Sequence, residues 1–260
     1  MRSPALVAGL MYHEVTDDPT ASGFQRPAAR AYTHSPAAFG AQLDAIAATA
    51  LRPSLATTVD LRQPGHHLFL TFDDGGRSAL HVADALDRRG WKAHFFIVTE
   101  RIGERTFLRG PDLRALRAAG HVVGSHSHTH PDIMSDLPRE RLAAEWNLSR
   151  TVLEAHLGEA CTAASVPGGD LSPAVAESAA AAGFRYLFTS EPTPRPERAG
   201  DLWLVGRVCL KRGASPETAS DLVRFHGWHR ARWERQLKGL ARRGLAPVYR
   251  LYVRHVTRSA

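Results

Sequence analysis

The chain has 260 residues, enough to bury a full core as one barrel-sized α/β domain or two small ones, and its 43% apolar and 23% charged content is ordinary for a soluble globular protein. No stretch approaches the roughly 18 consecutive apolar residues of a membrane span, and two cysteines, Cys161 and Cys209, are too few for a disulfide framework or a zinc knuckle. The net charge of +7 is largely arginine, but no nucleic-acid motif accompanies it, so an acidic glycan, a nucleotide-linked sugar or an anionic membrane surface suits it as well.

The run Pro4 to Met11 has about the length of a signal-peptide core but lacks a convincing cleavage site, and it reads equally as a first strand; a cytoplasmic location is the expectation. That strand, Ala5 to Met11, ends in Tyr12-His13-Glu14 and is followed by a long loop from Asp17 to Thr33 that could cover a site. Ser35-Pro36 opens a helix, with serine as N-cap and proline in the first turn, and Phe39, Leu43 and Ile46 share its inner face. After a connector, His67 to Phe72 is a strand. Ser78 to Arg89 is a helix ended by Gly90, and Trp91 to Val98 is a strand that is apolar almost throughout, as a buried parallel strand should be.

A short helix, Pro111 to Ala119, leads to a strand at His121–Gly124. A long helix, Pro138 to Leu157, precedes a strand at Ala160–Val166, a helix from Ser172-Pro173 to Ala182 and a strand at Phe184–Phe188. An exposed loop over Thr189–Gly200, a single strand over Leu202–Leu210, a helix over Pro216–Arg243 with a basic outer face and a last strand at Val248–Val253 complete the chain. Strand and helix alternate without an internal repeat or a composition break. This predicts one parallel α/β domain over residues 1–260, either a barrel or a doubly wound sheet, with 216–260 its basic C-terminal helix and last strand.

Two stretches carry the chemistry. Thr71-Phe72-Asp73-Asp74-Gly75 delivers two adjacent carboxylates at a strand's C-terminal end, and Gly75-Gly76 lets the chain turn sharply behind them. His126-Ser127-His128-Thr129-His130 likewise follows an apolar run and a glycine. The C-terminal ends of parallel strands are where ligands collect in α/β proteins. One aspartate and two histidines from these places would hold a divalent metal with room for water, and a second, unligated aspartate could act as base. Zinc is the default for such a ligand set, with cobalt, nickel or manganese also suitable.

These motifs resemble the polysaccharide deacetylase family, carbohydrate esterase family four, over roughly residues 5 to 210. Thr71 to Gly75 is similar to the family's first motif and His126 to His130 to its second; Ala93-His94-Phe95-Phe96, Gly120 to Gly124 and Tyr12-His13 supply similar context. The resemblance implies a single domain folded as a distorted, incomplete (β/α) barrel of about seven parallel strands. It implies Asp74, His126 and His130 as ligands of one divalent metal and Asp73 as general base toward a metal-activated water, in hydrolysis of an N-acetyl or O-acetyl group on a sugar. The substrate would be an acetylated sugar, an oligosaccharide or a nucleotide- or lipid-linked sugar, with no nucleic acid involved.

His128, between the two ligand positions, is expected to point elsewhere, and Ser127 is a candidate for binding the acetate product or supporting the ligands. Three features depart from the family pattern, one of them an Asp-rich tryptophan motif that is only vestigial in Asp201-Leu202-Trp203. The arginine that usually stands two residues before the third motif's proline, and orients the base, is Ser165 here; Arg207 on a later strand is the candidate replacement. The late Leu-x-x-His that supplies the general acid is not visible. His226 falls in a helix pattern, which leaves His13, at a strand end, as the better-placed donor. Two other readings stay open: a degenerate, non-catalytic glycan-binding member, which those departures motivate, and a different metallohydrolase, which does not explain Thr71 to Gly75.

Overall fold

Apolar runs bounded by glycine and proline become strands, and the amphipathic stretches between them become helices. The computed structural model describes residues 5–244; the strand expected at 248–253 lies outside the described residues. In chain order the elements are β1 (Leu6–Tyr12), β2 (Glu14–Val15), β3 (Thr33–His34), α1 (Pro36–Ala47), β4 (His66–Phe72), α2 (Ala79–Asp87), β5 (His94–Ile97) and α3 (Gly110–Ala118). There follow β6 (Val122–Ser125), α4 (Arg139–Leu157), β7 (Ala163–Ser165), α5 (Pro173–Ala181), β8 (Tyr186–Phe188), β9 (Glu197–Ala199), β10 (Leu202–Val205), β11 (Val208–Cys209), α6 (Pro216–Val223) and α7 (Trp228–Gly244). Three of the helices begin with a serine hydroxyl accepting a backbone N–H and a proline in the first turn: Ser35 before α1, Ser172 before α5 and Ser215 before α6.

The main sheet runs β11-β1-β4-β5-β6-β7-β8-β10-β9. Every pair in it is parallel except β9 with β10. β10 and β11 sit near opposite ends of that order, yet only Gly206 and Arg207 separate them in the chain. The sequence reads 202–210 as one strand; the chain instead bends at Gly206 and passes from one side of the curled sheet to the other. Close backbone packing requires glycine there. A Cβ on Gly206 would lie 2.3 Å from Thr193 O, and one on Gly9 of β1 would lie 2.4 Å from Gly206 O. Taking β10 and β11 as a single bent strand, the parallel set is β1, β4, β5, β6, β7, β8 and that strand, which is the incomplete barrel that the family resemblance implies and not the doubly wound sheet that the element order also allowed.

Alternate residues of each strand enter two apolar layers. Ala8, Leu10, Leu70, Phe72, Phe95 and Trp146 belong to the layer shared with the helices, whereas Val7, Phe69, Phe96, Phe188 and Val205 form the second.

Three further departures from the sequence reading matter. β5 and β7 are shorter than the apolar runs that contain them. The loop 189–200 carries the fully exposed edge strand β9. The single helix expected over 216–243 is broken between Arg224 and Gly227, where Phe225 and Gly227 take φ of 63° and 79°. His226 therefore lies in a turn, not in a helix.

Candidate functional site

Asp73 and Asp74 leave the C-terminal end of β4 together, but their backbones diverge. Asp73 remains extended enough for its N–H to bond Tyr12 O at 3.0 Å. Asp74 adopts φ 78° and Gly75 φ 80°, left-handed conformations that turn the chain away from the sheet. Gly76 is needed for space: an added Cβ would lie 1.8 Å from Glu14 Oε1. That buried glutamate accepts from Ser78 Oγ at 2.6 Å and from Gly23 N at 3.1 Å, which ties the 17–33 loop to the start of α2. The sequence reading gave Glu14 no role.

The second stretch starts where β6 ends. His126 N–H bonds Ile97 O at 2.8 Å and its Nδ1 lies 3.1 Å from Ser165 O, so the ring donates from Nδ1 and keeps the Nε2 lone pair free. Ser127 (φ 63°) and His130 (φ 58°) are both left-handed, and Ser127 Oγ accepts from His130 N at 3.0 Å. Ser127 is buried inside this turn and braces His130 rather than facing the cleft. His128 points away, with Nδ1 2.9 Å from Thr99 Oγ1. Glu145 of α4 holds the loop from behind: its carboxylate accepts from His128 N, Thr129 N and Thr129 Oγ1 at 2.9, 2.8 and 2.7 Å.

The two turns converge. His126 Nε2 and His130 Nε2 lie 3.5 and 3.8 Å from Asp74 Oδ1, and one donor atom from each of the three residues lies within 4.8 Å of the others. Two donors each about 2.1 Å from one ion at a tetrahedral angle are about 3.4 Å apart, so these three fit one face of a small divalent cation. Their charge state fits as well. Burial first, and then the neighbouring Asp73 and Glu14 carboxylates, push Asp74 well above the usual carboxylate range. Burial lowers His126 and takes His130 down to about 3, so both imidazoles are neutral. A carboxylate short of positive charge facing two free imidazole lone pairs is the donor set a divalent cation completes.

Asp73 stands outside that set, with Oδ2 3.9 Å from His126 Nε2. Arg207 grips it: Nη1 lies 2.7 Å from Oδ1 and Nη2 2.9 Å from Oδ2. The guanidinium is itself buried, anchored on Thr71 Oγ1 at 2.9 Å and Thr189 O at 3.1 Å, and lies over the rings of Phe96 and Phe188. Ser165 Oγ completes the cluster, 3.0 Å from Asp73 Oδ2. Burial raises the Asp73 pKa, but the Arg207 guanidinium, by its charge and its two hydrogen bonds, outweighs it and holds the carboxyl below its usual range, so it stays ionised.

Asp73, Asp74, His126, His130 and Arg207 line a cleft of about 830 Å³, together with Phe24, Tyr32 and residues of α7. His13 also lines it, with its ring 4.7 Å from that of Tyr32 and a buried Nδ1 that meets no hydrogen-bond partner among the described residues. His226, freed by the break between α6 and α7, reaches the outer wall but is exposed. The site thus brings together Asp73, Asp74, His126, His130, His13 and Arg207 and sets Ser127 behind them.

Residues 60–187 match the family model described as "Polysaccharide deacetylase". A chitooligosaccharide deacetylase of Sinorhizobium fredii is 34% identical over 132 residues, covering 47% of this chain and 56% of that protein. A putative polysaccharide deacetylase of Bacillus subtilis, YxkH, is 24% identical over 163 residues, covering 62% and 58%. The chain thus spans little more than half the length of these curated relatives. Among solved structures, a polysaccharide deacetylase from Bacillus cereus superposes with a TM-score of 0.70 at 19% identity, covering 85% of this chain and 69% of that one. A Streptococcus pyogenes deacetylase in complex with acetate gives 0.69 at 18%, covering 85% and 99%. The matched stretch contains both turns of the Asp74–His126–His130 cluster, while His13 and Arg207 enter from outside it. That stretch, residues 60–187, is thus similar to the polysaccharide deacetylase family, and the fold of the chain agrees with it.

Proposed function

We propose that this protein is a metal-dependent carbohydrate deacetylase that hydrolyses an acetyl group, in the first instance an N-acetyl group, from a sugar or a polysaccharide intermediate. The observation that carries this reading is the pairing of a three-donor cluster with a separate, ionised carboxylate. Asp74, His126 and His130 present converging donors, and Asp73 beside them is engaged by Arg207 instead. A pure binder has no use for a buried, oriented carboxylate that ligates nothing.

Asp74, His126 and His130 would hold the cation, zinc by the chemistry of the donors. When bound, it supplies Lewis acidity, polarising the acetyl carbonyl and making nearby water easier to deprotonate. Asp73 receives the proton of the water that attacks the carbonyl carbon. Arg207 fixes the direction of its lone pairs and keeps it ionised at rest, at the cost of making it a weak base. As the new C–O bond forms and the C–N bond breaks, the departing nitrogen needs a proton, and we assign its delivery to His13. His13 lines the same cleft with an unpartnered ring nitrogen. Burial lowers its pKa to about 4, while the Asp73 charge draws it upward and so favours its uptake of the proton it then donates. The products are acetate and a free amine.

Relatives named as acting on chitin oligosaccharides and chitin support an acetylated sugar as substrate. A nucleotide- or lipid-linked donor is the finer reading and rests on the basic outer cleft wall, where Arg26, Lys211, Arg212 and Arg230 stand. The deciding experiment is an acetate-release screen of N-acetylglucosamine oligomers, nucleotide-linked and lipid-linked sugars, each with and without chelator. Chelator-insensitive release, or none from any of them, would sink the proposal; release from polymers alone would remove the donor-linked refinement.

A further inference from the structure

Helix α7 has two unlike sides. On the inner side Trp228 is buried, its Nε1–H bonded to Leu222 O at 3.0 Å, and Arg235 bonds Gly169 O and Glu191, so this side walls the cleft. On the other side Trp233 and Leu237, about one helical turn apart, are 67% and 60% exposed. Leu148 is the other large apolar side chain so exposed among the described residues. Over Trp228–Gly244 the sequence has six basic residues (Arg230, Arg232, Arg235, Lys238, Arg242 and Arg243) against one acid, Glu234. Glu234 is paired with Arg230 at 3.1 Å, and Arg232 is exposed and has no acidic partner within ion-pair distance among the described residues.

We propose that the outer face of α7 docks on an anionic lipid surface, with Trp233 and Leu237 entering the interface and the arginines beside them meeting headgroup phosphates. A helix with a few large apolar side chains on one face, a strongly basic remainder and low overall hydrophobicity is the type that lies in a membrane interface rather than crossing it. Charge complementarity selects the occupant. A second copy would set this helix against its own excess of arginine in a chain of net charge +7, whereas each cation near an anionic leaflet strengthens binding about fivefold. Because the same helix walls the cleft, docking brings the cleft opening close to the lipid surface.

The test is flotation of the full chain with vesicles of pure phosphatidylcholine and of mixed phosphatidylcholine and phosphatidylglycerol, at low and high salt. The chain should float with the anionic vesicles only, and less at high salt. The double variant Trp233→Ser/Leu237→Ser should lower partitioning at least about tenfold with an unchanged circular dichroism spectrum. Arg232→Glu should lower it several-fold, which keeps the proposal testable if the double variant fails to fold. The proposal is overturned if the wild type ignores anionic vesicles at low salt, or if the folded variants float as it does. It is also overturned if light scattering shows a dimer that the double variant abolishes, since the stripe would then serve self-association. No substrate enters this measurement, so the deacetylase reading stands or falls separately.

Discussion

Ser165 Oγ lies 2.7 Å from Arg207 Nη2, and both groups bond Asp73 Oδ2. The serine occupies the position where the family resemblance led to an arginine, and the guanidinium arrives from the β10–β11 bend instead. The short side chain on β7 leaves room for it. Arg207→Met should cut acetate release at least about 100-fold, mostly in kcat, and lower stability by about 3–5 kcal/mol, because it strands a buried carboxylate. Arg207→Lys should recover stability better than rate, since an ammonium cannot span both oxygens. The swap Ser165→Arg with Arg207→Ser should regain at least about tenfold in kcat over Arg207→Ser alone. Steady-state kinetics and thermal denaturation decide it; a swap no better than the single variant would mean the arginine's place of origin matters as much as its charge.

Asp73 and Asp74 are neighbours in the chain with separable fates. Asp74→Asn should weaken zinc binding by about two orders of magnitude or more in calorimetric titration, because it removes the one anionic donor of the cluster. Asp73→Asn should retain zinc within about threefold yet lose nearly all acetate release, since it spares the cluster and removes the proton acceptor. Equal loss of metal in both variants would mean that Asp73 is a ligand and the proposed division of labour is wrong.

The parts of the site visible in the sequence are those announced by local pattern. The Asp73–Gly75 and His126–His130 stretches each follow an apolar run, and strand ends in a parallel sheet meet at one face, so convergence could be expected. Arg207 was legible only in part. The run Leu202–Leu210 looks like one strand, and its single clue is Gly206, a glycine inside a strand that marks a bend or a close approach. The break before α7 is announced by Gly227, but Phe225 at φ 63° carries no local signal, which is why His226 reads as helical. β9 is exposed on every residue, so no alternation betrays it.

Glu145 was invisible for a different reason: a glutamate in a helix reads as solvated, and its partners lie 16 and 17 residues away on another element. Its carboxylate takes two backbone N–H groups and a hydroxyl from the turn that presents His130. Glu145→Ala should therefore lower metal affinity about 10–100-fold without touching a ligand, much as loss of an outer-shell partner does elsewhere. A stability loss of about 1–3 kcal/mol should accompany it, for the donors left unpaired. Glu145→Gln retains one acceptor and should fall between. Unchanged zinc affinity in a folded Glu145→Ala protein would show that the turn holds its shape unaided.

His94 predicts how stability responds to acid. Its Nε2 accepts from Ala56 N at 3.0 Å and its Nδ1 lies 3.2 Å from Leu70 O, so both ring nitrogens are used and the neutral tautomer with the proton on Nδ1 is fixed. Burial lowers its pKa from 6.5 to about 4. Between those values the unfolded chain binds a proton that the folded one refuses, so folding free energy is lost as pH falls from 6.5 and stops being lost below about 4. The full window is worth up to about 3 kcal/mol. His94→Asn can still donate to Leu70 O but leaves Ala56 N–H unpaired, and it should cost about 1–3 kcal/mol at neutral pH. Because the variant has no imidazole to titrate, the gap between it and the wild type should narrow by about 2 kcal/mol between pH ~7.5 and ~5 in urea denaturation. The other buried histidines bend both curves alike and cancel in the difference, so a gap that stays constant with pH would show that His94 takes up its proton equally in both states.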